Sequence, residues 1–291
     1  MTPMRDPHAP RHRAWLFVPG ASERFVAKLS GSGAQAAILD LEDGLDPADR
    51  AAAHARVAAL VVAPRPELPA LYVRPAAVGA SSFADAVAAG CGPGTVGFVL
   101  PKVVDVDGLR FALDAIDRAW DAPGAQPGVV AMIESARGVA NAAALLAASD
   151  RVVGVSLGVE DLCVDLGVPP LAEPDARAAL VEDARRRLVF AAAAAGVAAR
   201  GDGPSMELDD LAGFEVASAR LRAGGWTGRM CVHPRQVAPT LAGFRPSAAA
   251  LAGAEAVLAA PEGGAVRVGS TMVDAPVRAQ ARRVLEEAGR V

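Results

Sequence analysis

Only three cysteines, Cys91, Cys163 and Cys231, occur in the 291 residues, and no two of them form a CxxC pair. That excludes a disulfide framework and a zinc-ligand set, and it suits a reducing cytoplasm. Aromatic residues are scarce, at 4% with a single tyrosine. Alanine fills much of the apolar share instead, which favours helices. An excess of basic charge is also missing: the formal net charge is -4, without the basic footprint of a nucleic-acid binder. The short run Arg185-Arg186-Arg187 reads as the solvated face of a helix. No apolar run is long enough to cross a bilayer, the longest being the alanine-rich Val189 to Ala199. The segment Met1 to Arg13 is polar and lacks the apolar core of a signal peptide.

What is present is a rhythm. Hydrophobic residues make up 52% and charged residues 21%, enough apolar material for a packed core. Short apolar runs alternate with helical patterns. The runs are Ala14 to Val18, Ala36 to Leu41, Leu71 to Val73, Val96 to Leu100, Val129 to Ile133, Val152 to Leu157, Val197 to Ala199 and Met230 to Val232. Helices are expected from Ser22, from Pro47, over Ser82 to Ala89, Asp107 to Trp120, Arg137 to Ala148, Glu160 to Leu166, Pro174 to Ala195 and Leu208 to Ala223. Runs apolar on both faces, each followed by a helix, indicate parallel strands covered by helices. Eight of them in about 250 residues predict a closed (β/α)8 barrel, not an open doubly wound sheet. This barrel is expected over 1–245. Two further helices, near Ser247 to Ala259 and Pro276 to Ala288, make a C-terminal helical lid and oligomerisation segment over 246–291. Two glycine patterns, beginning at Gly31 and Gly92, resemble dinucleotide loops but precede strands, so they read as turns.

The polar residues fall at the ends of the runs. Asp40, Glu42 and Asp43 follow the second, Arg74 the third and Lys102 the fourth. Glu134 follows the fifth, with Arg137 behind it; Glu160 and Asp161 follow the sixth, Asp202 the seventh and His233 the eighth. In a barrel these ends share one rim, where active sites sit. Glu134 and Asp161, on successive strand ends without a nearby His or Cys, suit a hard cation such as Mg2+. The plainer reading pairs Glu134 with Arg137 and makes Asp161 a helix cap. Arg74, held extended by Pro75, presents a guanidinium suited to a carboxylate or keto-acid, or to an ion pair with Glu42 or Asp43. Lys102 suits contact with a thioester or phosphate, or a salt bridge to a rim carboxylate. His233 reads as a structural hydrogen-bonding residue.

Several motifs occur in order: Arg13-Ala-Trp-Leu-Phe-Val-Pro-Gly20, Ile38-Leu-Asp-Leu-Glu-Asp43, Val99-Leu-Pro-Lys-Val103, Met132-Ile-Glu-Ser-Ala-Arg-Gly138, Gly158-Val-Glu-Asp-Leu162, Asp202-Gly-Pro204, His233-Pro-Arg-Gln236 and Met272-Val-Asp-Ala-Pro276. The set resembles the citrate lyase β-subunit-like proteins of the HpcH/HpaI aldolase superfamily, over about Arg13 to Arg283. The resemblance implies Mg2+ on Glu134 and Asp161, and Arg74 on the substrate's carboxylate or keto oxygen. Glu42, Lys102, Arg13, Pro19 and Gly20 join Arg74 as expected substrate or coenzyme A contacts. It also implies a lid whose Asp274 reaches a neighbouring subunit's site as acid/base, in a homotrimer or hexamer. Relatives use coenzyme A or acyl-carrier thioesters.

The expected activity is a Mg2+-dependent carbon–carbon lyase. It would split a β-hydroxyacyl-CoA such as citryl-, malyl- or citramalyl-CoA into a keto-acid and an acyl-CoA, or run in reverse. A malyl-CoA-type thioesterase and a subunit active only within a multi-component lyase are the alternatives. After Arg74 the chain reads Pro-Ala-Ala, where the family usually has a longer Asn-Pro-type loop, and Gly269-Ser-Thr stands where a basic residue is common. Both departures leave the substrate and the thioester contacts open.

Overall fold

A computed structural model describes residues 12–42, 45–122, 126–168, 174–261 and 264–290. The chain forms β1 (Ala14–Pro19), α1 (Glu23–Val26), β2 (Ala36–Asp40), α2 (Arg50–Val61), β3 (Ala70–Arg74), α3 (Phe83–Gly90), β4 (Thr95–Leu100) and α4 (Val106–Ala119). It continues through β5 (Gly128–Ile133), α5 (Ala136–Ala147), β6 (Val152–Leu157), α6 (Val159–Asp165), α7 (Pro174–Ala194), β7 (Ala199–Asp202), α8 (Leu211–Ala223) and β8 (Gly228–Cys231). The last elements are α9 (Val237–Gly243), α10 (Ala248–Ala259), β9 (Val266–Val268), β10 (Thr271–Val273) and α11 (Ala275–Glu287). Strands β1 to β8 close into one barrel of parallel neighbours, β8 pairing back onto β1. This is the (β/α)8 barrel expected from the strand–helix rhythm, with helices following it at the C-terminus.

The strands read as apolar runs because they bury both faces. In β2 every residue is buried. Ala36 and Ile38 face the barrel interior, packed with Trp15, Tyr72, Val99, Val130, Met132 and Met230. Ala37 and Leu39 face outward into the larger core beneath the helices. The period of two thus divides one strand between two cores. At the N-terminal end of the barrel the interior is stoppered by rings: Trp15 and Tyr72 lie 4.6 Å apart, and His12 packs edge-on at 5.2 Å from Trp15. Burial there pushes the His12 pKa down to about 4, so the imidazole is neutral. Helices α4, α5 and α8 start on side-chain caps. Asp105 accepts from Gly108 N at 2.9 Å, Ser135 from Gly138 N at 3.1 Å, and Asp210 from Gly213 N at 2.8 Å.

Four details differ from the sequence-based expectation. The seventh strand lies at Ala199–Asp202, not Val197–Ala199. Gly196 takes a φ of 72° and Val197 N donates to Ala192 O at 2.8 Å, so that segment closes α7 before the strand begins. The helix at Ser22 is a single turn, and Ser22 makes no side-chain cap bond. A short hairpin, β9–β10, interrupts the C-terminal helices. Finally, Arg185 does not share a solvated face with Arg186 and Arg187. It turns inward and grips Asp202 with two hydrogen bonds of 2.9 Å.

Asp202 therefore stabilises the layer between strands and helices and is not a rim residue. It is fully buried and stands in register with Arg229 of β8, whose guanidinium lies 3.7 Å over the Phe214 ring. The C-terminal helices have their own small apolar cluster of Ala254, Ala281 and Leu285. They are tied to the barrel through Glu287, which accepts from Arg222 at 3.0 Å through its carboxylate and from Arg13 at 2.6 Å through its backbone carbonyl. Among the described residues, no helix is long and apolar enough to cross a membrane.

Removing one partner of a buried ion pair leaves the other charge buried and uncompensated. Asp202→Ala should therefore lower stability by about 3–5 kcal/mol. It should appear as a lower urea midpoint with an unchanged denaturant slope. A midpoint equal to the parent's would show that solvent already screens Arg185 and Arg229.

Candidate active site

Parallel register places the chemistry. Asp40, the last residue of β2, pairs in register with Arg74, the last residue of β3. The Arg74 Nε and Nη2 each donate to the Asp40 carboxylate at 2.7 Å, a bidentate fork. Its Nη1 lies 2.8 Å from Glu42 Oε2. The guanidinium rests 4.7 Å from the centre of the Phe17 ring on β1, beyond the intervening β2. Burial opposes its charge, but Asp40, then Glu42 and Glu134, more than offset this and raise its pKa overall.

Lys102 follows β4 and adopts a φ of 53°, a left-handed conformation that is costly for a non-glycine residue. The strain has a visible use. It turns the Lys102 N–H onto Glu134 Oε1 at 2.6 Å. Its ammonium stands 3.2 Å from Glu42 Oε1 and 3.7 Å from Asp161 Oδ1. One residue thus touches three rim carboxylates.

Glu134, directly after β5, is 4% exposed. Burial, reinforced by Glu42 and Asp161, pushes its pKa up to about 8, against the opposing Lys102 hydrogen bond and the Arg74 charge. Asp161, in the first turn of α6, has a half-exposed side chain. Gly158, between β6 and α6, makes room for the glutamate. A Cβ at that position would lie 2.4 Å from Glu134 Oε2 and 2.7 Å from Glu134 Cβ, so a side chain there would displace the carboxylate.

These residues suit a Mg2+ ion. The donors are carboxylate oxygens without nitrogen or sulfur, and Glu134 is too buried to hold its charge without a close cation. Among the described residues, no cluster of three or more His, Cys, Asp and Glu side chains could hold a metal. Two protein carboxylates, with the other positions left to water and substrate oxygens, is a common Mg2+ arrangement.

Of the residues expected to form the site, Arg74, Glu42, Lys102, Glu134 and Asp161 come together. Pro19 and Gly20 end β1 at the same rim, where Gly20 N donates to Asp40 O at 2.8 Å. Arg13 does not join them: it precedes β1, and its side chain is bound to Glu287 at the opposite end of the barrel. Asp274 is exposed and caps α11 by accepting from Val277 N at 3.2 Å. None of its described contacts is with its own rim. Asp43 lies outside the described residues. Arg137 pairs with Asp105 at 2.8 Å and not with Glu134, and Glu160 pairs with Arg177 at 2.7 Å. His233 is structural, its ring accepting from Arg235 N at 3.1 Å. Sequence reasoning missed Asp40 as the clamp on Arg74, Phe17 beneath it and Gly158 as the space for Glu134. The Asp40 pairing was available from the parallel runs, each of which ends in a polar residue.

A family model described as HpcH/HpaI aldolase/citrate lyase matches residues 13–234. The chain belongs to that family. Membership makes it a carbon–carbon lyase by class. Among HpcH/HpaI relatives, a citrate lyase subunit beta-like protein of Mycobacterium tuberculosis is 32% identical over 278 residues, covering 94% of this chain and 95% of that one. An L-malyl-CoA/beta-methylmalyl-CoA lyase of Cereibacter sphaeroides is 28% identical over 279 residues, covering 90% and 87%. The crystal structure of CitE from M. tuberculosis, in complex with magnesium, acetoacetate and coenzyme A, superposes with a TM-score of 0.81 at 31% identity, covering 95% of this chain and 98% of that one.

The Glu134 pKa gives a pH signature. A metal held by Glu134 would have to displace the proton that this carboxyl holds below about 8. Mg2+ affinity should therefore rise by about tenfold per pH unit towards that value and level off above it, with about one proton released on binding. Titration calorimetry in buffers of different ionisation enthalpy reads both. The linkage sign for the metal-free chain follows: between the ordinary 4.5 and about 8 the folded state binds more protons than the unfolded one, so stability falls as pH rises. Mg2+ affinity that stays flat over this window would exclude Glu134 as the ligand.

Proposed function

We propose that this chain is a Mg2+-dependent lyase acting on a β-hydroxyacyl-CoA thioester that carries a second carboxylate, to give a keto-acid and an acyl-CoA, or the reverse. The observation that carries the proposal is the pairing at one rim of a buried glutamate that needs a cation and an arginine immobilised beside it. The relative crystallised with magnesium, acetoacetate and coenzyme A supports the same ligand classes here.

Glu134 and Asp161 would hold the ion, which when bound supplies positive charge at the hydroxyl or keto oxygen and at a carboxylate oxygen of the substrate. Arg74 Nε and Nη2 each donate one N–H to Asp40, and Nη1 lies between Glu42 at 2.8 Å and the Met132 sulfur at 3.9 Å. The second Nη2 N–H would be left to bind a carboxylate or keto oxygen, and the clamp would keep it from reorganising as charge develops. Lys102 places a second cation beside Glu42 and Asp161, in reach of a thioester or carboxylate at the rim. Asp274 would move the proton to or from the acyl α-carbon. Since Asp274 is remote from its own rim, the C-terminal segment would have to serve a neighbouring copy, in a trimer or hexamer. Its closure would exclude water from the thioester. The three cysteines are free, in keeping with a reducing cytoplasm.

The test is to incubate the purified chain with Mg2+ and malyl-, citramalyl- or citryl-CoA, with an EDTA control, and identify products by mass. A keto-acid with acyl-CoA, abolished by EDTA, is the expected result; free hydroxy-acid would replace the lyase with a thioesterase. Asp274→Ala should lower turnover by about 10²-fold or more while leaving Mg2+ binding unchanged. Unchanged turnover in that variant would remove Asp274 from the chemistry.

A further inference from the structure

A cavity of about 510 Å3 opens at the N-terminal end of the barrel, away from the rim and between the barrel and α11. Four arginines from four parts of the chain line it: Arg13 before β1, Arg200 of β7, Arg222 of α8 and Arg283 of α11. Trp226 contributes an aromatic wall. Among the described lining residues the carboxylates are Glu286 and Glu287, so there arginines outnumber carboxylates. Glu287 is already engaged by Arg222 through its carboxylate and by Arg13 through its carbonyl.

The charge balance around Arg13 bears this out. Burial lowers its pKa first; Glu287 opposes that, but Arg222 and Arg245 add repulsion. Guanidinium groups brought together at this density are relieved by an oxyanion, which each can bind through a planar fork. The cavity is large enough for a small polyanion.

We propose that this cavity is a second ligand site, separate from the rim, for a small anion bearing two or more negative charges, either a phosphoryl compound or a polycarboxylate. Such an anion would bridge the barrel arginines to Arg283 and so pin the C-terminal end of α11 to the barrel. Because α11 begins at its cap, Asp274, occupancy also sets the attitude of the segment that carries this residue. That regulatory consequence rests on the role proposed above for Asp274; the binding itself does not.

Calorimetric titration of the full chain with inorganic pyrophosphate and, separately, citrate, both in EDTA, tests the site and distinguishes the two anion sources. One equivalent of either should bind. Arg283→Glu should weaken that binding by about tenfold or more, since it reverses a charge within a few ångströms of the ligand. Arg283 is exposed, so the variant should fold; a matching far-UV spectrum and thermal midpoint check this. Arg74→Lys, at the rim, should leave the binding unchanged, and α11 amides should exchange more slowly when the anion is bound. No binding of either anion, or binding lost in Arg74→Lys but kept in Arg283→Glu, would overturn the proposal.

Discussion

The rim is organised around one buried guanidinium. Arg74 is fixed by the Asp40 carboxylate on the adjacent strand, capped by Glu42 and backed by the Phe17 ring. Each of these partners is costly to bury alone, so each requires the others. Glu42 is also held by Lys102, whose backbone N–H restrains Glu134 and whose ammonium faces Asp161. The clamp thus passes from strand to strand, β2 to β3 to β4 to β5, and ends at the two carboxylates suited to a cation. Moving Arg74 would disturb Glu134 and Asp161 without touching them. The left-handed backbone at Lys102 fits this view: it is strain of about 1–3 kcal/mol that the surrounding ion pairs hold in place.

Much of the barrel was legible because strands buried on both faces leave continuous apolar runs, and β2 shows this most plainly, with Ala36-Ala37-Ile38-Leu39 buried throughout. Where the run was short, legibility failed. Val197 and Ala198 look like the start of a strand, but Gly196 diverts them into ending α7, and the true strand, Ala-Arg-Gly-Asp, carries two charged residues. The hairpin was also missed, although Gly269-Ser270 sits between two alternating apolar triplets, a turn signal for the glycine that takes a φ of 60° there. The inward turn of Arg185 could not be read locally. Three adjacent arginines look alike in sequence, and only tertiary packing reveals that one of them lies over the fully buried Asp202.

For the site, the rule that strand ends share a rim identified which residues meet, but not how they pair. Glu134 was weighed against Arg137 from proximity in sequence, yet Arg137 leaves along α5 to Asp105, while the glutamate is held by a backbone N–H from the preceding strand end. Pairing across strands depends on register, and register depends on where each strand starts, which composition does not reveal. Arg13 was misplaced for a simpler reason. It precedes a strand instead of following one, and in a parallel barrel that difference moves a residue from one end to the other.

The two ends of the barrel have accordingly different charge logic. At the rim, cations and carboxylates are interleaved, and among the described residues the excess lies with the carboxylates Asp40, Glu42, Glu134 and Asp161, which suits the metal ion proposed there. At the other end the excess lies with arginines, and the aromatic stopper of His12, Trp15 and Tyr72 separates the two through a low-dielectric interior. The cation proposed at the rim and the anion proposed at the other end rest on these opposite local imbalances among the described residues. The C-terminal helices dock at the arginine end through Glu287, so on the proposals above charge at that end would bear on the segment that carries Asp274.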